Sequence, residues 1–172
     1  MKSISFTLKV MKEWKDESAT TISNLKTFLI RLKKDKYMNE SHEALQRIHH
    51  EVFSAFDCMQ CAGCCKTTPP LYTLADIKRI SKSMNMSPSM FKRKYTISDI
   101  NGDLTGITVP CPFLMENNAC QIYNIRPEAC RNYPHTDDPL FTSRPELNLK
   151  NIKICPAAFQ IVKRLEQSYQ NN

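Results

Sequence analysis

Four of the chain's eight cysteines fall within one run of eight residues, Cys58, Cys61, Cys64 and Cys65, spaced C-x-x-C-x-x-C-C. The others are Cys111, Cys120, Cys130 and Cys155, so there are sulfurs enough for two four-cysteine sites. Thiolates in such numbers hold zinc or iron–sulfur clusters, whereas in an oxidising compartment the same thiols cross-link the chain. A bridge between Cys64 and Cys65 would be strained. Neighbouring Cα atoms lie about 3.8 Å apart, below the usual disulfide range of about 4.4–6.8 Å. Residues 1–17 contain no apolar stretch of signal-peptide length, and no segment approaches the roughly 20 apolar residues of a membrane span. The expectation is a cytoplasmic protein with reduced thiols and no membrane partner.

Geometry narrows how the sulfurs can be used. If residues 58–65 continued one helix, Cys58 and Cys65 would stand about 10 Å apart along its axis. Four sulfurs on one zinc each lie about 2.3 Å from it and so within about 4 Å of each other. A straight helix cannot deliver them, and Ala62-Gly63 offers a place for the chain to curl. A [4Fe–4S] cluster is a larger target whose ligands stand further apart. Neighbouring side chains diverge, by about 100° on a helix, so Cys64 and Cys65 are expected to serve different metals or to include only one ligand. Cys111-Pro112 and Cys155-Pro156 place proline after a cysteine, as in the C-P ending of bacterial ferredoxin motifs.

These residues need elements to position them. Ile22, Leu25, Leu29 and Leu32 recur at helical spacing, followed by a basic run from Arg31 to Lys36. A second helix is expected from near Asn39 or Ser41, with Leu45, Ile48, His49, Val52, Phe53 and Phe56 on one face, running into Cys58. Thr67-Thr68-Pro69-Pro70 breaks helix. Thr73 to Asp76 resembles a capping box opening a helix to about Met84, and Ser87-Pro88 opens another to about Tyr95. Ile107, Thr108 and Val109 favour a strand, Asn101-Gly102 and Glu116 to Asn118 favour turns, and 111–124 reads as a small hairpin. Residues 134–151 read as loop, and Pro156 opens a C-terminal helix with Phe159, Val162 and Leu165 on one side.

The chain's net charge is +7, and residues 58–134 carry nine Lys or Arg against five Asp or Glu. Eight thiolates around two doubly charged centres would offset much of that charge. The basic character is therefore assigned to a metal site, with Lys66, Arg126 and Arg131 as nearby cations, and no nucleic-acid partner is expected. Arg126 has a second reading as a salt-bridge partner ahead of Pro127 at a helix start. Tyr123 and Tyr133 read as packing residues, His49 as a core residue, and the Lys92 to Lys94 run as a solvated helix end. No Ser-His-Asp set, P-loop or dinucleotide fingerprint is present, and no reaction is assigned.

The run Cys58-x-x-Cys61-x-x-Cys64-Cys65, with Cys111-Pro-Phe-Leu and the stretch from Cys120 through Tyr123, Arg126-Pro127 and Cys130-Arg131 to Tyr133-Pro134, resembles the YkgJ-type cysteine-cluster domain. That family is described as zinc- or iron-chelating, and a related cysteine arrangement occurs in flagellin lysine N-methylases. The resemblance spans about residues 57–157 and implies that its cysteines bind metal. The expected fold is α+β and mostly helical, a small metal-stapled domain with a short hairpin and flanking helices. Its parts would be an N-terminal extension (1–56), the cysteine domain (57–157) and a C-terminal helix (158–172). Cys58, Cys61, Cys64, Cys65, Cys111, Cys120, Cys130 and Cys155 are the expected metal ligands, and Arg126 and Arg131 the cofactor-facing cations. The leading expectation is one or two iron–sulfur clusters with a redox or modification-supporting role. The rival is a structural zinc module, and a third reading uses the N-terminal helices to recruit a protein partner.

Overall fold

The computed structural model describes residues 4–17, 19–34 and 38–170. It is mostly helical with one small sheet, and it divides into two compact units, residues 1–61 with 134–172, and residues 62–133.

In the first unit, α1 (Ile4–Lys15), α2 (Ala19–Leu32) and α3 (Met38–Ala55) surround α10 (Pro156–Gln170), and α9 (Pro145–Ile152) packs on α10 and α2. The basic run expected over residues 31–36 extends past the described residues at 35 and 36. The apolar faces read from the sequence meet here. Leu25, Leu29 and Leu32 of α2, Leu45, Ile48 and Val52 of α3, and Phe159, Val162 and Leu165 of α10 are buried in one core. The loop expected over 134–151 is corrected by α9. Its periodicity is masked because Asn148 and Asn151 are buried polar residues, donating from Nδ2 to the carbonyls of Phe141 (2.6 Å) and Pro134 (2.9 Å). The same unit includes α4 (Cys58–Cys61), whose first turn is capped by Asp57 Oδ1 accepting from Met59 N–H at 3.0 Å.

In the second unit, β1 (Leu71–Tyr72), β2 (Thr96–Ser98) and β3 (Leu104–Gly106) form an antiparallel sheet in the order β1-β3-β2. Tyr72 pairs with Leu104, and Thr96 with Gly106. A Cβ at Gly106 would meet Pro70 Cδ at 2.7 Å, so only glycine lets the Pro70 backbone pair there. The strand favoured at 107–109 lies earlier, at 104–106, because β1 and β2 pair there and not beyond. The capping box at Thr73 opens α6 (Leu74–Ser83), and Ser87 caps α7 (Pro88–Tyr95), both as expected. The hairpin over 111–124 reduces to one bridge, Leu114 to Cys120, around a loop with Asn118 at φ 66°. The short α5 (Gly63–Thr67) and α8 (Glu128–Asn132) complete the unit. Ile77, Ile80, Phe91, Phe113 and Ile122 form its core with Tyr72.

Candidate metal centre

The cysteine run is not a continuous helix. Ala62 is left-handed at φ 51°, and that residue separates α4 from α5. The curl falls within the expected Ala62-Gly63 pair, on the alanine. In the second unit, α5 carries Cys64 and Cys65 with their sulfurs 4.0 Å apart. That is about the spacing of two ligands on one ion. The Cys65 carbonyl accepts from Cys111 N–H at 2.8 Å, which fixes a second strand of chain beside the run. Cys120 follows on the bridge to Leu114, and Cys130 lies on α8, which packs against β1.

Backbone N–H groups point at these sulfurs. Those of Phe113 and Leu114 face Cys111, and that of Ile122 faces Cys120. Such donors favour a thiolate over a thiol. Against them, burial pushes both thiols up, and neighbouring thiolates add to the rise. Burial pushes Cys130 to about 12, with Cys65, Cys111 and Cys120 contributing. Cys65 goes the other way, down to about 7, through its contact with Cys64 and then, against burial, the charges of Arg126 and Lys66. The four sulfurs, from four stretches of chain, disfavour one another's ionisation, and a cation among them would relieve it.

Arg126 is the cation that faces this set, lowering the pKa of Cys65, Cys120 and Cys130. It is held by a hydrogen bond from its guanidinium to the Tyr123 carbonyl (3.0 Å) and by stacking 4.0 Å over the Tyr123 ring. No carboxylate pairs with it among the described ion pairs. Arg131 is exposed on α8.

The sequence reading placed Asp76 in a capping box but not in a second role, and it did not single out Arg79. Buried Asp76 closes the Thr73 capping box, accepts from Arg79 at 2.6 Å, and accepts from Glu128 N–H at 3.2 Å. Arg79 in turn donates to the Arg126 carbonyl at 3.0 Å. The pair clamps the segment between Cys120 and Cys130, and the Asp-x-x-Arg spacing was its only signal. Burial raises the Asp76 carboxyl, but hydrogen bonds from Thr73, Arg79 and Glu128 outweigh it and hold the group below the usual range.

Tyr72 is 5% exposed, and its buried hydroxyl has no hydrogen-bond partner among the described residues. Its surroundings include Cys111, Cys130 and Cys120, and burial followed by those sulfurs keeps the phenol protonated. An orphaned donor beside three sulfurs fits an electron-rich centre, because thiolate sulfur on a metal accepts such bonds.

In the first unit, Cys58 and Cys61 share a face of α4 at i, i+3, and Cys155 precedes α10. All three pack against that unit's core. The Ala158 N–H points at the Cys155 sulfur at 3.4 Å. Burial pushes Cys155 to about 12, the Ala158 N–H opposes it, and Cys58 and Cys61 add to the rise.

None of the eight cysteines is joined in a disulfide. No three His, Cys, Asp or Glu side chains among the described residues stand close enough to hold one ion as placed, so metal binding has to draw the sulfurs inward. Donor type, N–H groups aimed at sulfur, the Arg126 cation and the orphaned Tyr72 hydroxyl all suit that group. His49 is not part of it. Its Nδ1 meets Thr136 Oγ1 at 2.8 Å and its Nε2 lies 3.7 Å from Asp137, a satisfied position as expected.

The class so defined is a cysteine-thiolate metal-binding protein. The chain belongs to the CxxCxxCC family, whose model, described as "Putative zinc- or iron-chelating domain", matches residues 57–156. No curated protein and no solved structure matched the chain. No described helix is long and apolar enough to cross a membrane.

Proposed function

We propose that this chain is an iron–sulfur protein of the cytoplasm, with cysteine thiolates as the cluster ligands and electron transfer, or support of a modification reaction, as its role. The observation carrying this reading is the set Cys65, Cys111, Cys120 and Cys130, whose thiolates oppose one another while Arg126 and backbone N–H groups favour their charge. A bound cluster supplies one-electron chemistry whose potential depends on burial and on hydrogen bonds to sulfur. The chain's part is to bury the sulfurs, hold Arg126 on Tyr123, and clamp the ligand-bearing loop through Asp76 and Arg79. Sulfurs not converged on a single ion also suit the wider ligand spacing of a cluster.

Zinc is the second reading, favoured by the 4.0 Å spacing of Cys64 and Cys65, which matches two ligands on one tetrahedral ion. The visible spectrum of anaerobically purified protein separates the two. The cluster reading expects broad sulfur-to-iron absorption that bleaches with dithionite. A colourless protein that still retains stoichiometric zinc overturns it.

A further inference from the structure

The sheet of the second unit has two edges, and they differ. Helix α8 packs against β1, whereas β2 presents exposed Ile97 and Ser98. Hydrogen bonds fix which way the groups of β2 point. Ile107 N–H donates to the Tyr95 carbonyl at 3.1 Å and Asp99 N–H to the Asp103 carbonyl at 2.9 Å, with Ile97 opposite Thr105 between them. Alternation in an antiparallel ladder then turns the backbone of Ile97 toward β3 and that of Thr96 and Ser98 outward. The Thr96 N–H is taken by the Lys92 carbonyl at the end of α7. The Ser98 N–H and the Thr96 carbonyl remain on the open edge.

Side chains give this edge an apolar row. Leu71, Thr105 and Ile97 are cross-strand neighbours on one face, and Leu71 and Ile97 are 46% and 56% exposed. Beyond β2, Ile100 is 99% exposed at the tip of a well-bonded turn. There Asp99 Oδ1 accepts from the N–H groups of Asn101 (2.8 Å) and Asp103 (3.0 Å). Charge is uneven about the strand. Lys92, Arg93 and Lys94 precede it and Asp99 and Asp103 follow it. None of the five belongs to an ion pair among the described residues.

We propose that β2 is a self-association edge, pairing antiparallel with β2 of a second copy of this chain about a two-fold axis at Ile97. A second copy fits because the strand is its own complement. With the two Ile97 residues opposite each other, the Ser98 N–H of each protomer meets the Thr96 carbonyl of its partner, and these are the groups left on the edge. The same register sets the basic end of one strand beside the acidic turn of the other, once on each side of the axis. It also continues the row of Leu71, Thr105 and Ile97 from one sheet into the next. Ile100 of each protomer then lies beside the last turn of α7 of its partner, out of water. Pairing in this way removes the open edge of both sheets.

Analytical ultracentrifugation of the full chain over a concentration series tests this, with anaerobic purification and reductant present so that no intermolecular disulfide forms. Wild type should be a reversible dimer that weakens with added salt. Ile97→Lys sets like charges opposite each other at the axis and should weaken the dimer at least about tenfold. Ser98→Pro removes the donated N–H and should give a similar loss. Lys94→Glu puts a carboxylate beside the acidic turn of the partner and should weaken the dimer as well. All three positions are exposed, and circular dichroism identifies the folded variants. A wild-type chain still monomeric at about 100 µM overturns the proposal. So does a dimer that survives in a folded Ile97→Lys or Ser98→Pro variant. A dimer unmoved or tightened by Lys94→Glu overturns the antiparallel register.

Discussion

At Tyr72 a buried hydroxyl carries a cost that its own unit does not offset. An unsatisfied buried hydroxyl costs about 1–3 kcal/mol, and a phenylalanine there would keep the ring contact with Phe91 at 5.5 Å. If the hydroxyl exists to donate to metal-bound sulfur, Tyr72→Phe should behave oppositely in the two states. The metal-free variant should melt at or above the wild-type temperature, while metal affinity falls about 10- to 100-fold, as for other groups that support ligands from behind. A chelator competition titration measures the second quantity. Unchanged affinity would mean that the hydroxyl does not serve the sulfurs. The cysteine-rich character of a metal-chelating domain could be read from the spacing. Tyr72, Arg79 and the contact of Asp76 with the Glu128 N–H could not, because they depend on β1, α6 and the 123–128 segment coming together, and nothing local in those stretches records it.

Elements with a local cause were legible and those with a distant cause were not. The caps at Thr73 and Ser87 and the proline at 156 each act on the helix they open, and α6, α7 and α10 begin there. The interruption near Ala62-Gly63 followed from the reach of four sulfurs. The divergence expected of Cys64 and Cys65 leaves their sulfurs 4.0 Å apart on the short α5. Helix α9 was missed because its buried asparagines replace apolar residues at the core-facing positions. The strand at 107–109 was misplaced because pairing with β1 and β2, not β-branched composition, sets where β3 lies. Ala62 gives this scale its prediction. Its left-handed φ of 51° is tolerable for alanine but not for a β-branched residue. Ala62→Val should destabilise the protein by about 1–3 kcal/mol and lower its metal content. Ala62→Gly should leave the metal content unchanged. Thermal melts with elemental analysis of both variants check this, and a valine variant with wild-type behaviour would contradict the curl as a requirement.

Across the whole molecule, acid and metal act on stability together, and His49 separates them. Burial lowers its pKa below the ordinary 6.5, Asp137 partly restores it and His50 lowers it further. The folded state therefore binds fewer protons at this site than the unfolded chain. This site's contribution is fully present above the ordinary histidine pKa and is lost as pH falls from there through the lowered value. His49→Gln should flatten part of the melting-temperature decline between neutral and mildly acidic pH, leaving the part caused by protonation of metal-bound thiolates. An unchanged pH profile would show that His49 is not desolvated as placed. Two compact units, each with its own core, carry the cysteines, and metal bound by them would contribute to folding. The central claim is that these sulfurs are iron–sulfur ligands, and its most direct measurement is the iron, zinc and acid-labile sulfide content per chain after anaerobic purification without chelator. The account predicts iron and sulfide in comparable, stoichiometric amounts. Zinc alone, or a folded chain carrying no metal, would contradict it.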